Sequence, residues 1–225
     1  MDRGLLKTTA LTALALAAAI CLFYFFVDRA VDQAAHALHG SAWYAAGKYL
    51  SLLADHHVFN VLLFLGLVVA GAAALARGLS PLTRGVLFCC VAVAAAMVIG
   101  DLLKWFFGRF RPEMLFKQGL YGFTFFADKY TQHSFPSGHT LRIFSAATAL
   151  SLLWPRTRAP LLALAGLVGL SRIMVTKHFP SDVLAGAFVG LFCALWVWRI
   201  MQGDGAKEKN RKSGLEKGTT GPPSK

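Results

Sequence analysis

The chain has 225 residues, of which 56% are hydrophobic and 15% are charged, and its mean hydropathy is +0.54. So few charges exclude an ordinary soluble domain, and several apolar runs approach the ~20 residues that a helix needs to cross a bilayer, which predicts an integral membrane protein. The formal net charge of +12 does not indicate a nucleic-acid partner, because the basic residues lie at the ends of apolar runs and in the C-terminal tail, where they suit anionic lipid headgroups.

Six apolar runs predict an all-α membrane protein with six transmembrane helices. They cover residues 5–27, 58–76, 85–107, 139–154, 161–175 and 183–201. A cleaved signal peptide is the alternative for the first run, but its length and its bulky aromatic end favour an uncleaved span. Residues 28–57 mix apolar and charged side chains, which predicts one or two amphipathic helices at the membrane interface. Residues 1–202 are therefore predicted to form one six-span domain, followed by a disordered basic tail at 203–225.

The loops predict the orientation of the chain in the membrane. Six crossings place both termini on one side. The short turns at 77–84 and 155–160 contain arginines and no acidic residues, a composition typical of cytoplasmic loops. Both termini are therefore predicted to be cytoplasmic, and the opposite helix ends to face outward.

Three polar clusters fall on that outward-facing surface. They comprise Lys104 and Arg111, then Ser137, Gly138 and His139, then Ser171, Arg172, His178 and Asp182. A phosphoryl group in transfer spreads negative charge over its oxygens, and catalysis depends mainly on positioning and electrostatic stabilisation. Arginine binds two phosphate oxygens at once, lysine adds a point charge, and a helix N-terminus beginning at glycine offers free N–H groups. The clusters therefore predict a phosphate-binding site.

Two histidines in these clusters have different neighbours. Asp182 lies four residues after His178, with Pro180 between them as the expected first residue of a helix. A carboxylate in that first turn can hold one ring nitrogen of His178 and leave the other free to attack phosphorus. His139, across the predicted site, is then the expected general acid for the leaving oxygen.

The motifs K-x6-R-P, P-S-G-H and S-R-x5-H-x3-D, between residues 104 and 182, are similar to the three signature motifs of the type 2 phosphatidic acid phosphatase family. The resemblance implies a membrane hydrolase with a phosphohistidine intermediate and with neither a metal nor another cofactor. It implies that His178 is the nucleophile, Asp182 its orienting group and His139 the acid. It also implies a phosphate site made by Lys104, Arg111, Ser137, Gly138 and Arg172.

Three other polar residues near the motifs have more than one interpretation or a supporting role. Asp101 is expected to neutralise Lys104 one turn away. An arginine within a span is costly and often functional, so Arg142 is either an ion-pair partner of Asp101 or a second phosphate contact, for example to a diphosphate. Ser171 is either part of the site or structural.

The remaining histidines and the cysteines are not predicted to bind metal. His56, His57 and His133 are predicted to be solvated or interfacial. A metal site at 55–57 is disfavoured, because two adjacent histidines do not easily share one ion. The four cysteines lie in apolar runs without a C-x-x-C pair, which indicates small buried side chains rather than a disulfide or a metal site.

The sequence thus predicts a phosphatase of the bacterial inner membrane that acts on a lipid phosphate or diphosphate at the outer leaflet. Candidate substrates are undecaprenyl pyrophosphate, phosphatidylglycerol phosphate and lipid A. The aromatic loop at 109–135 is the candidate lid or headgroup reader. Two alternatives stay open: a lipid phosphotransferase with the same site, and a non-catalytic binder of anionic lipids. The membrane spans disfavour a vanadate-dependent peroxidase.

Overall fold

The computed structural model describes residues 3–218, with side chains through residue 202. This part of the chain is helical, apart from turns and one isolated antiparallel bridge between Arg109 and Phe123. The α-helices are α1 (Arg3–Phe26), α2 (Asp28–Ala37), α3 (Ala42–Leu52), α4 (His56–Arg77), α5 (Pro81–Phe107), α6 (Pro112–Gln118), α7 (Gly138–Leu153), α8 (Arg158–Met174) and α9 (Pro180–Gly218). Short 3₁₀ helices cover Tyr130–Gln132 and Pro155–Thr157.

Local sequence signals explain where the long helices begin and end. Ser80 caps α5, its hydroxyl accepting from the N–H of Thr83 at 3.1 Å, and Pro81 follows as the first helical residue. Asp55 caps α4 in the same way, through the N–H of His57 at 2.9 Å. Gly108 ends α5 in the left-handed conformation with φ of 55°, a backbone geometry that glycine adopts without strain.

Five helical segments are long and apolar enough to cross a membrane by length and composition. They are Arg3–Phe26, Ala42–Arg77, Pro81–Phe107, Pro155–Met174 and Pro180–Gln202. The remaining predicted span, α7, has 16 residues, and at ~1.5 Å per residue such a helix is shorter than the ~30 Å hydrocarbon core. The all-helical membrane architecture is therefore confirmed with five candidate spans, while a sixth crossing stays a prediction.

Helix α7 is short and polar because other helices surround it. It packs against α9, α8 and α5, and the side chains of Thr140, Ser145 and Thr148 are buried there. Helix α9 comes close through Gly186, where an added Cβ would lie only 2.7 Å from the carbonyl oxygen of Ser137. Small residues at such contacts let membrane helices approach each other closely. The packing places the N-terminus of α7 directly against the N-terminus of α9.

Two further regions can be compared with the predictions. Residues 28–57 form the short helices α2 and α3, while their position at the membrane interface stays a prediction. The structure continues α9 to Gly218, whereas the sequence predicts a disordered tail from residue 203. Alanine, lysine and glutamate in this stretch are good helix formers, which favours continuation of the helix. The last part of the predicted tail, residues 219–225, lies outside the described residues.

Candidate active site

A cavity of about 310 Å³ lies at the N-terminal end of α7. Its lining residues are His56, Asn60, Met97, Asp101, Lys104, Arg111, Tyr130, Gly138, His139, Arg142, Arg172 and His178. The fold thus brings residues from all three sequence motifs around one space. Both predicted catalytic histidines and all three predicted phosphate-binding cations line it.

His178 lies in the turn between α8 and α9 and is 2% exposed. Its Nδ1 is 2.8 Å from the carbonyl oxygen of Ser134. A carbonyl oxygen only accepts hydrogen bonds, so Nδ1 carries the ring proton and Nε2 keeps its lone pair. Burial lowers the pKa of His178, while the negative charge of Asp182 acts in the opposite direction. The ring is therefore neutral and able to act as a nucleophile near pH 7.

Asp182 holds the loop around His178 rather than the ring itself. Its Oδ2 is 3.8 Å from His178 Nδ1, which is too long for a hydrogen bond. That oxygen accepts from the hydroxyl of Ser134 at 2.6 Å and from the N–H of Phe179 at 2.9 Å. The direct contact predicted from the four-residue spacing is replaced by an indirect one, because the carbonyl group of Ser134 takes the position next to the ring.

Arg109 is a fully buried residue that the sequence analysis did not assign to the site. Its Nη1 is 2.6 Å from Asp182 Oδ1, and its Nη2 is 2.7 Å from Asp28 Oδ2 on α2. Asp28 also accepts from the N–H of Ser181 at 3.0 Å. Burial by itself would lower the pKa of Arg109, but Asp182 and Asp28 outweigh it and raise that pKa. The Asp28–Arg109–Asp182 triad thus ties the N-terminal helices to the turn that carries His178.

The motif cations around the cavity are held in different ways. Arg111 donates to the carbonyl oxygens of Tyr130 at 3.0 Å and His133 at 3.1 Å, and its guanidinium lies 3.9 Å from the centre of the Tyr130 ring. Burial lowers the pKa of Arg111. Lys104 pairs with Asp101 at 2.7 Å, as the sequence predicts. Arg172 is buried, and its Nε has no hydrogen-bond partner among the described residues.

Ser137 and Gly138 differ in how they face the cavity. Gly138 lines it, and a Cβ added there would lie 3.3 Å from Lys104 Nζ. Glycine therefore lets the lysine approach the start of α7. Ser137 is fully buried outside the lining set, and its hydroxyl accepts from that of Thr140 at 2.9 Å. Phosphate binding by Ser137 stays a prediction.

The sequence left the roles of Arg142 and Ser171 open, and the structure places the two residues differently. Arg142 lines the cavity but forms no ion pair with Asp101, whose carboxylate pairs with Lys104. Ser171 lies outside the lining set, where its hydroxyl donates to the carbonyl of Val168 at 2.6 Å and is 2.9 Å from that of Ser51. The structure therefore places Ser171 in a contact between α8 and α3.

His56 and His133 were both predicted to be solvated or interfacial, and they differ in whether they line the cavity. His56 is exposed at the start of α4, as expected for a solvated histidine, and it also lines the cavity together with Asn60 one turn later. The signal that could have found it is the Asp55 cap, which places His56 at the first turn of a span. His133 contacts the carbonyl oxygen of Ala127 at 2.7 Å and lies outside the lining set. Within residues 3–218 no cluster of three or more His, Cys, Asp or Glu residues could hold a metal ion.

The loop at 109–135 is ordered around Arg109. Tyr121 stacks on Tyr24 with ring centroids 4.7 Å apart, and its hydroxyl donates to the backbone carbonyl of Tyr24 at 2.7 Å. Desolvation by burial raises the pKa of Tyr121. Phe123 lies against the Arg109 guanidinium, 5.3 Å from ring centre to Cζ. Tyr130 is the loop aromatic that lines the cavity. A lid or headgroup-reading role stays a prediction.

Comparison with known proteins agrees with the motifs and the fold. The chain is 41% identical over 99 residues to a lipid A 1-phosphatase of Rhizobium etli, which covers 44% of this chain and 43% of that protein. It is 34% identical over 101 residues to an undecaprenyl-diphosphatase of Sulfolobus acidocaldarius, covering 44% and 47% of the two chains. The matches thus span less than half the length of these relatives.

The crystal structure of Aquifex aeolicus LpxE has the same fold. The TM-score is 0.57 at 24% sequence identity, with 77% of this chain and 95% of that one covered. A sequence model described as the PAP2 superfamily matches residues 85–206, which is more than half of the chain and includes all three motifs. The chain therefore belongs to the PAP2 superfamily.

Proposed function

We propose that this chain is a metal-independent membrane phosphatase that hydrolyses a lipid phosphate or lipid diphosphate through a phosphohistidine intermediate. The observation that carries the proposal is that His178, with Nδ1 engaged by Ser134, and His139 line the same cavity as Lys104, Arg111 and Arg172. The superfamily assignment and the activities named for the two relatives support it.

In the first half-reaction Nε2 of His178 attacks the phosphorus atom of the bound phosphate. The N–P bond forms as the bond from phosphorus to the leaving oxygen breaks. His139 gives a proton to that oxygen. Arg111 and Arg172, which are the guanidinium groups acting electrostatically on His178, stabilise the negative charge on the phosphoryl oxygens together with Lys104 and the N–H groups at the start of α7.

In the second half-reaction water attacks the phosphohistidine. His139, now without its proton, accepts one from the water as the new P–O bond forms, and the N–P bond breaks to return neutral His178. Inorganic phosphate leaves the cavity. The Asp28–Arg109–Asp182 triad keeps the turn in place throughout, because Arg109 pairs with both carboxylates and all three side chains are shielded from water.

The proposed substrate is a membrane lipid, in keeping with the five candidate spans and the relatives named above. We place the chain in the bacterial inner membrane with both termini cytoplasmic and the cavity facing the outer leaflet. Basic residues at helix ends then contact anionic headgroups. Residues 1–202 form the catalytic domain in this proposal.

The test is phosphate release by the purified protein from a panel of lipid phosphates and diphosphates, in detergent and in excess EDTA. Wild type is expected to release phosphate, and His178→Ala to lose nearly all of that activity. His57→Ala is the matched control, because His57 is an exposed histidine outside the cavity lining. Equal release by wild type and His178→Ala would contradict the proposal.

The same reaction separates hydrolysis from phosphotransfer. In water labelled with ¹⁸O, hydrolysis places one labelled oxygen in each released phosphate. Transfer to a lipid hydroxyl instead produces a new phosphorylated lipid and no labelled phosphate.

A further inference from the structure

The cavity is also lined by polar residues that the mechanism above does not use. His56 and Asn60 come from the first turns of α4, and Arg142 comes from α7. None of the three belongs to the sequence motifs that bind the transferred phosphate. Together they form a second polar wall, which we call the α4–α7 wall.

Arg142 is a buried cation without a close ion-pair partner among the described residues, although Asp101 and Asp55 act on it at longer range. It is 8% exposed, and no carboxylate in the described part of the chain lies within 4.0 Å of its guanidinium. Its Nε makes no hydrogen bond there, and its Nη2 has only two contacts, both at 3.4 Å, to the Ala54 carbonyl oxygen and to His139 Nδ1. A buried charge without a counterion costs free energy. An anionic ligand in the cavity would supply that counterion.

The position of Arg142 relative to His139 indicates which part of a ligand it meets. Arg142 follows His139 by three residues on α7, and its Nη2 is the group nearest to Nδ1 of that ring. A donor at Nδ1 fixes the orientation of the His139 ring and leaves Nε2 as the nitrogen that faces the leaving oxygen. Arg111, by contrast, acts electrostatically on His178, and Arg172 acts on both rings. Arg142 therefore lies on the leaving-group side of the reacting phosphorus.

The charge and the volume of the cavity indicate which class of anion it can bind. The cavity is lined by four cationic side chains and one carboxylate, Asp101, a formal excess of three positive charges. A phosphate monoester carries about −1.5 to −2 at pH 7, and a diphosphate carries one further ionised oxygen. The volume of about 310 Å³ corresponds to about ten water molecules at ~30 Å³ each. Such a space is large enough for two phosphates.

We propose that the α4–α7 wall is a second anion subsite, which binds the lipid-proximal phosphate of a lipid diphosphate while the terminal phosphate reacts with His178. This inference rests on the proposed phosphatase function and narrows its substrate to diphosphates. The bond between the bridging oxygen and the terminal phosphorus breaks. The terminal phosphoryl group moves to Nε2 of His178, and the bridging oxygen stays with the lipid monophosphate, held by Arg142. Water then releases inorganic phosphate from His178.

The test compares two substrates with the same tail, farnesyl diphosphate and farnesyl monophosphate. Phosphate release by purified wild type and Arg142→Gln is measured in detergent with EDTA. A charge-assisted hydrogen bond is worth roughly 1.5–3 kcal/mol, or about 10- to 150-fold. Arg142→Gln is therefore expected to lower kcat/KM for the diphosphate about tenfold or more, and that for the monophosphate about threefold or less. Arg142→Lys, which keeps the charge, is expected to recover part of the diphosphate activity.

Two adjacent histidines provide a matched control. His56 lines the cavity and His57 does not. His56→Ala is expected to reduce the ratio of diphosphate to monophosphate activity, whereas His57→Ala is expected to leave the ratio unchanged. Because both histidines are substantially exposed at the start of α4, neither change is expected to unfold the protein.

A binding measurement tests the anion subsite independently of catalysis. Methylenediphosphonate, which phosphatases do not hydrolyse, is expected to raise the melting temperature of wild type more than inorganic phosphate does at the same concentration. Arg142→Gln is expected to abolish that difference. A wild type stabilised equally by the two anions would overturn the subsite even if the enzyme is an active phosphatase.

The kinetic outcomes distinguish the other roles of Arg142. Equal losses on both substrates would overturn the subsite and assign Arg142 to the transferred phosphate or to the fold. A larger loss on the monophosphate would also overturn it, because the poorer leaving group depends more on a positioned His139. Absence of release from either substrate, with methylenediphosphonate still binding selectively, would reject the phosphatase function and retain the anion subsite.

Discussion

Two buried arginines of this protein, Arg109 and Arg172, have opposite surroundings. Arg109 is fully enclosed and pairs with two carboxylates at 2.6 Å and 2.7 Å. Arg172 is also buried, yet it lines the cavity and forms no ion pair within the described residues.

The difference separates a structural charge from a ligand-binding charge. A guanidinium whose counterions are supplied by the chain, as in Arg109, holds helices together and gains little from an anionic ligand. A guanidinium buried beside a cavity without a counterion gains most when an anion enters. Replacing Arg109 by an apolar residue of similar length is therefore expected to affect mainly stability, whereas the same replacement of Arg172 is expected to affect mainly activity.

The largest expected effect on the fold is that of Arg109→Met. The substitution leaves Asp28 and Asp182 buried without their cation, and breaking such a pair costs roughly 3–5 kcal/mol. We expect a large drop in the melting temperature in detergent, together with loss of phosphatase activity because the His178 turn is no longer held. Arg109→Met with wild-type stability would show that the triad does not support the fold.

Arg172→Met tests the arginine that has no ion-pair partner. Removal of one preorganised charge that stabilises the reacting group typically lowers kcat about 10²–10³-fold, and we expect a loss of that size. The melting temperature without ligand is expected to stay unchanged or to rise, because an uncompensated buried charge has been removed. A fall in stability comparable to that of Arg109→Met would contradict this distinction.

The third prediction concerns the pH dependence of stability and Asp32, a carboxylate near the same triad. Asp32 is fully buried on α2, and neither of its oxygens has a hydrogen-bond partner among the described residues. Burial raises its pKa from 3.8 to about 8, with Asp182 and Asp28 acting in the same direction and Arg109 against it. The folded state therefore binds a proton that the unfolded state has lost, and stability falls as pH rises from about 4 to about 8.

Asp32→Asn removes this titration. Melting temperatures measured at pH 5, 7 and 9 are expected to show that the variant gains stability relative to wild type as pH rises. Parallel pH profiles for the two proteins would mean that Asp32 does not titrate in this way.

Much of the candidate site could be predicted from the sequence because its signals are local. Lys104, Arg111, Gly138 and His139 lie at helix ends, and hydropathy together with capping residues indicates where those ends are. The pairing of Lys104 with Asp101 likewise depends on one helical turn, and it is present at 2.7 Å. The ends of apolar helices meet at one surface of a membrane protein, so the sequence predicts a shared phosphate site.

The contacts that complete the site depend on residues far apart in the chain. Asp28, Arg109 and Asp182 meet although 81 and 73 positions separate the arginine from its partners. The carbonyl group of Ser134 displaces the predicted contact between Asp182 and His178 because the loop before α7 folds against the turn after α8. The polar character of α7 makes its crossing hard to identify from hydropathy, since its neighbours are helices rather than lipid.

The sequence by itself determined a helical membrane protein, the main helix ends and the set of cations and histidines suited to phosphoryl transfer. These properties follow from composition, capping and short-range spacing. Only the tertiary structure decided which arginine is compensated and which is not, and which face of α4 reaches the cavity. Whether a charge is compensated depends on the distances between side chains on different helices. Hydropathy and residue spacing along the sequence do not give those distances.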